Sequence, residues 1–300
     1  MRWCTYSRGN AGPRVGLVEG GRVRGLRGPA TLIEVLRSPS AVAAAEAAAR
    51  ADPVECASPN EVRFHAPVPV PPSVRDFMAF EEHVVTSSAA FGLEVDPVWY
   101  ELPVFYFSNP AAVRGPVDEV RIPPGCAAFD YELEIAAVIG TPGADIPAHE
   151  AESHIAGYTI LCDWSARDLQ AREMKLNLGP AKGKDSATSL GPVLVTPEEL
   201  EPYRAGNAYD LSMTASVNGR QYSSGNFSAI HWNFARLVEY ASRGTEVRTG
   251  DIIGSGTVGT GCILELSRTH GSLAYPWLAP GDVVTLAVEH IGEITTRVTA

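Results

Sequence analysis

No run of about 18 apolar residues occurs in the chain, so no membrane-spanning helix is expected. The N-terminus, Met1-Arg2-Trp3-Cys4-Thr5-Tyr6-Ser7, lacks the apolar core of a secretory signal. The five cysteines, Cys4, Cys56, Cys126, Cys162 and Cys262, stand singly and in odd number. That pattern excludes a disulfide framework or a zinc knuckle read from spacing, and reduced thiols in a cytoplasm fit best. No basic run offsets the net charge of -11, which speaks against nucleic acid or an anionic membrane as partner. A small anionic substrate stays open, because a few buried Arg and Lys can bind one whatever the global sign. No internal repeat and no low-complexity tail is visible.

What is present suits a chain of 300 residues with a real core, since about three quarters of the unfolded surface is hidden at this length. Arg14 to Val23 reads as a hairpin closed at Glu19-Gly20-Gly21. Thr31 to Leu36 and the Ala-rich Ala41 to Ala51 read as helices, the second with Glu46 and Arg50 four apart. Pro67-Val68-Pro69-Val70-Pro71-Pro72 cannot be helix or central strand and marks a boundary between a small N-terminal α+β domain, 1–70, and a larger one, 71–300. Beyond it, Arg75 to Val84 reads as a helix entered near Asp76. Short apolar runs then alternate with Gly/Pro turns, among them Leu102 to Phe107 and Cys262 to Leu266, with Val217-Asn218-Gly219-Arg220 as a tight hairpin. Only Ala148 to Ile155, Ser165 to Met174 and Ile230 to Ser242 read as helical, so the expected fold class is α+β, β-dominated.

The stretch with chemistry is Phe129 to Gly140. In an extended strand Glu132 and Glu134 share a face, opposite Tyr131, Leu133 and Ile135. An isolated Glu-X-Glu is ordinarily a solvated face. Here the strand runs into Ala136-Ala137-Val138-Ile139, which predicts partial burial, and two ionised carboxylates there need a cation between them. A hard divalent metal suits such oxygens: Mg2+ first, with Mn2+ and Ca2+ as alternatives. Downstream, the strand Gly157 to Cys162 delivers Asp163, and Arg167 and Gln170 share a face of the next helix. Glu265 lies among apolar residues, where an ionisable group must be paired.

With Glu132, Glu134 and Asp163 heading an Asp-X-Ser-Ala-Arg-Asp-X-Gln segment, the chain resembles the fumarylacetoacetate hydrolase superfamily over roughly residues 70 to 295. The resemblance implies a rolled mixed sheet and a homodimer. It implies a metal held by Asp76, Glu132, Glu134 and Asp163, with His83, seven residues after Asp76, as general base oriented by Glu265. It further implies Arg167, Gln170 and Lys184, from Gly183-Lys184-Asp185, as oxyanion donors, each worth about 3 kcal/mol of barrier when well aimed. Tyr106 and Thr257, the latter in Gly254 to Leu266, fall where the family contacts a substrate carboxylate. The implied activity is hydrolysis of a carbon-carbon bond in a β-diketo acid, with decarboxylation, hydration or isomerisation of a 2-oxo acid as the alternative. Met174 stands where the founding hydrolase has a tyrosine, and Val84 to Gly92 holds no arginine. An acylpyruvate or a related, fumarylacetoacetate-like diketo compound is therefore expected rather than fumarylacetoacetate itself. The remaining histidines carry no partner pattern and are read as structural.

Overall fold

The N-terminal turns form as their residues dictate. In the computed structural model, which describes residues 1–90 and 92–300, β1 (Arg2–Ser7) is followed by β2 (Arg14–Glu19) and β3 (Arg22–Gly25). Gly20 and Gly21 close the β2–β3 hairpin at φ +57° and +70°, the left-handed pair that a two-residue turn requires. Thr31 caps α1 (Leu32–Leu36) and Ser38 caps α2 (Pro39–Ala51), each accepting a first-turn backbone N–H. The predicted Glu46–Arg50 pair on α2 closes at 2.7 Å.

Then come β4 (Val74–Phe77), α3 (Glu81–Ala90), β5 (Phe105–Ser108), β6 (Leu133–Ile139), β7 (Ile155–Asp163), α4 (Arg167–Glu173) and β8 (Thr188–Val195). The C-terminal third supplies β9 (Ser212–Val217), β10 (Arg220–Asn226), α5 (Phe234–Ser242), β11 (Ile252–Gly254), α6 (Ile263–His270), β12 (Val283–Val288) and β13 (Gly292–Thr299). The main sheet has twelve strands and is ordered β3-β2-β1-β8-β7-β6-β11-β4-β5 after a short edge strand at Cys56–Ala57. It is mixed: β11 and β4 run parallel, while β6 pairs antiparallel with both β7 and β11. Because β1 pairs with β8, the strands on either side of Pro67 to Pro72 lie in one sheet. A second sheet, β10-β9-β12-β13 with Val120–Arg121 at its edge, carries the predicted Asn218-Gly219 hairpin. The architecture is thus the β-dominated α+β fold expected.

Three local readings are corrected. Asp76 does not enter a helix: it lies on β4, and α3 starts at Glu81. Val74 and Phe77 are buried between two strand partners, and that pairing overrides the helical spacing of Phe77, Phe80 and Val84. Cys262 to Leu266 is no strand; Ile263, Leu264, Leu266 and Ser267 pack as the buried face of α6. The Glu-X-Glu stretch is interrupted as well. Phe129–Asp130 pairs with Ser165–Ala166, Glu132 makes a single bridge to Cys262, and only from Leu133 does β6 run on. Every residue of β6 is buried, so the strand is covered on both faces, as central strands of a sheet are.

Candidate active site

The sheet order brings the separated acidic residues together. β6, β11 and β4 are neighbours, with Gly254 opposite Asp76 in register and Tyr106 opposite Asp76 on the other side. Glu134 lies on β6, Glu132 just before it, and Asp163 ends β7 next door. Asp76, Glu132, Glu134 and Asp163 are each at most 5% exposed, so their charges meet little water.

Lys184 enters this cluster, its Nζ 2.5 Å from Glu132 Oε2 and 2.5 Å from Asp163 Oδ2. Arg167 Nη2 donates to Glu132 Oε1 at 2.8 Å, its Nε to Asp130 Oδ2 at 2.9 Å, and its Nη1 to Gln170 Oε1 at 3.2 Å. Burial opposes ionisation of Glu132, but Lys184 and Arg167 outweigh it and hold that carboxyl below the usual range. The other three go the opposite way. Burial pushes Asp163 up to about 8 against the pull of Lys184. Burial raises Asp76, and burial together with the neighbouring Asp76 carboxylate raises Glu134 well above its ordinary value. Lys184 and Arg167 cannot neutralise four carboxylates at close quarters, the more so as Arg167 is shared with Asp130.

A divalent cation fits what remains. Asp76 Oδ1, Glu134 Oε1 and Asp163 Oδ1 are buried without a hydrogen-bond partner, and buried polar atoms are otherwise satisfied. A Cβ on Gly254 would collide with Asp76 Oδ1 and stand 3.3 Å from Glu134 Oε2, so the glycine leaves room that a side chain would fill. All donors are hard oxygens, the set for Mg2+, Mn2+ or Ca2+.

Beside the cluster, His83 Nδ1 lies 2.5 Å from Glu265 Oε1, both residues buried and 182 positions apart. α3 and α6, which carry them, pack together. Glu265 is steadied by the Thr260 N–H at 3.0 Å. With Nδ1 facing a carboxylate, the imidazole is held as the Nδ1–H tautomer and its lone pair falls on Nε2. Glu132 bridges to Cys262, whose Sγ lies 3.5 Å from Glu265 Oε1, which sets the pair beside the cluster. Ligand-capable atoms of His83, Cys262 and Glu265 also lie within 4.8 Å of one another. The short Nδ1–Oε1 contact places a proton there rather than a metal, and burial raises the Cys262 thiol well above its normal range, keeping it protonated.

The remaining expected residues fall in distinct places. Tyr106, expected at a substrate carboxylate, donates its hydroxyl to Asp76 Oδ2 at 2.9 Å and also contacts Asp163 Oδ2. Thr257 is buried in the turn between β11 and α6. Arg167 is committed to Asp130, Glu132 and Gln170, whereas the Gln170 amide, using only its Oε1 on Arg167, keeps its N–H groups for another partner. Two residues without a recognisable sequence signal carry weight. Asp130 is fully buried and bonds Arg167 and the start of α6. Glu173 gathers the backbone N–H groups of Ala181, Lys182 and Gly183 at 2.8, 2.8 and 3.0 Å, pinning the loop that delivers Lys184. Neither stands out from composition, since each acts on backbone groups placed by the fold.

The Gly of Gly183-Lys184 has a steric reason. A Cβ there would stand 2.7 Å from Gln170 Cα and Cβ. Gly183→Ala is expected to push the Lys184 loop off α4, costing about 1–3 kcal/mol of stability and most of the turnover. Thermal melts with steady-state assays check it, and wild-type values for both would refute the steric account.

This sheet and its buried acidic site define the class: sheet-dominated α+β proteins of the fumarylacetoacetate hydrolase fold. The chain belongs to the fumarylacetoacetate hydrolase family, whose model, "Fumarylacetoacetate (FAA) hydrolase C-terminal", matches residues 73–299. It is 32% identical over 242 residues to oxaloacetate tautomerase YisK of Bacillus subtilis (strain 168), covering 80% of this chain and 74% of that protein. It is 30% identical over 300 residues to 2,4-didehydro-3-deoxy-L-rhamnonate hydrolase of Sphingomonas sp. (strain SKA58), covering 97% and 94%. The solved fumarylacetoacetate hydrolase from psychrophilic Exiguobacterium antarcticum superposes with a TM-score of 0.73 at 26% identity, over 100% of this chain and 99% of that one. Relatives of this chain are therefore enzymes named as tautomerase and hydrolase. Among the described residues no helix is long and apolar enough to cross a membrane.

Proposed function

We propose that the chain is a metal-dependent hydrolase cleaving a carbon-carbon bond in a β-diketo acid of the acylpyruvate type. The observation that carries this reading is the buried His83–Glu265 pair beside the carboxylate cluster. A divalent cation, Mg2+ in the first instance, would be held by Asp76, Glu132, Glu134 and Asp163 and would polarise chelating substrate oxygens as a Lewis acid. His83 Nε2 takes a proton from the attacking water, and Glu265 supports the imidazolium that results. The free N–H groups of Gln170, and the one Lys184 N–H beyond those on Glu132 and Asp163, are the donors left for a developing oxyanion. Arg167 holds Glu132 in place, and the Nη1 N–H that Gln170 does not take is a further donor for that oxyanion. Homodimerisation, implied by the family resemblance, belongs to the same proposal, and sedimentation of the purified chain checks it.

A second reading is keto-enol tautomerisation of a 2-oxo acid such as oxaloacetate, favoured by a relative named for that activity. There His83 moves a proton on the substrate and no water is consumed. Enol absorbance is followed across acylpyruvates and oxaloacetate with Mg2+, Mn2+ or chelator. Metal-dependent loss that yields pyruvate and a second acid in equal amounts is the expected result. Loss with unchanged substrate mass selects the tautomerase, and activity undiminished by chelator removes the metal from both readings.

A further inference from the structure

We propose that Asp130 is a positioning residue that sets the His83–Glu265 pair in register with the carboxylate cluster; the inference rests on the reading above only in taking that pair as the one that moves the proton. Asp130 is fully buried on the two-residue strand Phe129–Asp130. Its Oδ1 accepts the Ile263 N–H at 2.8 Å, and its Oδ2 accepts the Leu264 N–H at 3.0 Å and Arg167 Nε at 2.9 Å. Ile263 and Leu264 open α6, and the next residue is Glu265. Arg167 opens α4 and bonds Glu132.

A continuous path therefore runs from Glu265 through the first turn of α6 to Asp130, then through Arg167 to Glu132. An ordinary helix cap is the residue just before the helix. Here that residue is Cys262, which makes no side-chain cap, and the carboxylate comes from 133 positions away. A helix start held from the strand beside the second site is an arrangement that fixes distance between two groups, and residues that orient others this way affect rate more than binding.

The substitution Asp130→Asn separates positioning from packing. The amide keeps the shape but turns an NH2 toward donors, so it cannot serve the Ile263 and Leu264 N–H groups and Arg167 together. The readout independent of substrate is the downfield proton resonance of the His83 Nδ1–H to Glu265 bond, assigned by its loss in His83→Ala. For Asp130→Asn that resonance should shift or broaden, kcat fall about 10- to 100-fold, and KM stay within about threefold, with Asp130→Glu recovering part of kcat. A folded Asp130→Asn protein with the wild-type resonance, or with kcat within twofold of wild type, overturns the proposal. If the Asn variant does not fold, the Glu variant decides, and an unaltered resonance there overturns it equally. Should no diketo or 2-oxo acid be turned over, the functional reading fails while the resonance still decides the role of Asp130.

Discussion

Replacing His83 by alanine is expected to lower turnover about a thousandfold while the sheet and the carboxylate cluster stay intact. Positioned acid-base groups contribute about 10^2- to 10^4-fold, and His83 is the imidazole that the fold pairs with a buried carboxylate, at 2.5 Å. The substitution leaves the nearly fully buried Glu265 with the Thr260 N–H and the Cys262 thiol as remaining partners. A stability loss of about 1–3 kcal/mol accompanies the change for that reason. Turnover per folded molecule, the melting temperature and Mn2+ binding are therefore measured together. Intact Mn2+ binding with lost turnover supports the assignment. Wild-type turnover in a folded His83→Ala protein would sink it and leave only the chemistry of the cluster.

Lys184→Met should produce the largest stability loss, with a size that depends on metal. The ammonium is buried between Glu132 and Asp163 at 2.5 Å from each, and methionine fills similar volume without charge. Breaking a buried pair by removing one partner costs about 3–5 kcal/mol. At about 2–4 °C per kcal/mol for chains somewhat shorter than this one, the metal-free variant should melt roughly 10 °C lower. Adding Mn2+ should restore much of that loss, and the cation should bind more tightly than to wild type, because the repelling ammonium is gone. Turnover should nevertheless fall about 10^2- to 10^3-fold through the missing donor. An unchanged melting temperature without metal would show that Lys184 does not neutralise the cluster.

Both predictions concern residues whose types and spacing are visible in the chain, yet their contacts are not. Glu132 and Glu134 share a face by strand alternation alone, and Asp163 follows a legible strand. The hairpins at Gly20-Gly21 and Asn218-Gly219 formed where left-handed backbone was needed. By contrast, the spacing of Phe77, Phe80 and Val84 suggested a helix entered near Asp76, and only pairing with β11 and β5 made Asp76 a strand residue. Glu265 looked like a strand residue because a short apolar run does not distinguish strand from helix. Its helix starts where Asp130, distant in sequence, accepts the N–H groups of Ile263 and Leu264.

The acidic residue set, the β-dominated composition and the positions of the turns are legible in the chain alone. Those follow from backbone preference and side-chain period, which act within a few residues. Tertiary structure alone decided that His83 meets Glu265, that Lys184 sits between Glu132 and Asp163, and that Arg167 is held by Asp130 rather than left free. Such pairings depend on which strands become neighbours in the sheet, and that order is set by burying the whole core at once, a long-range balance that no local pattern encodes.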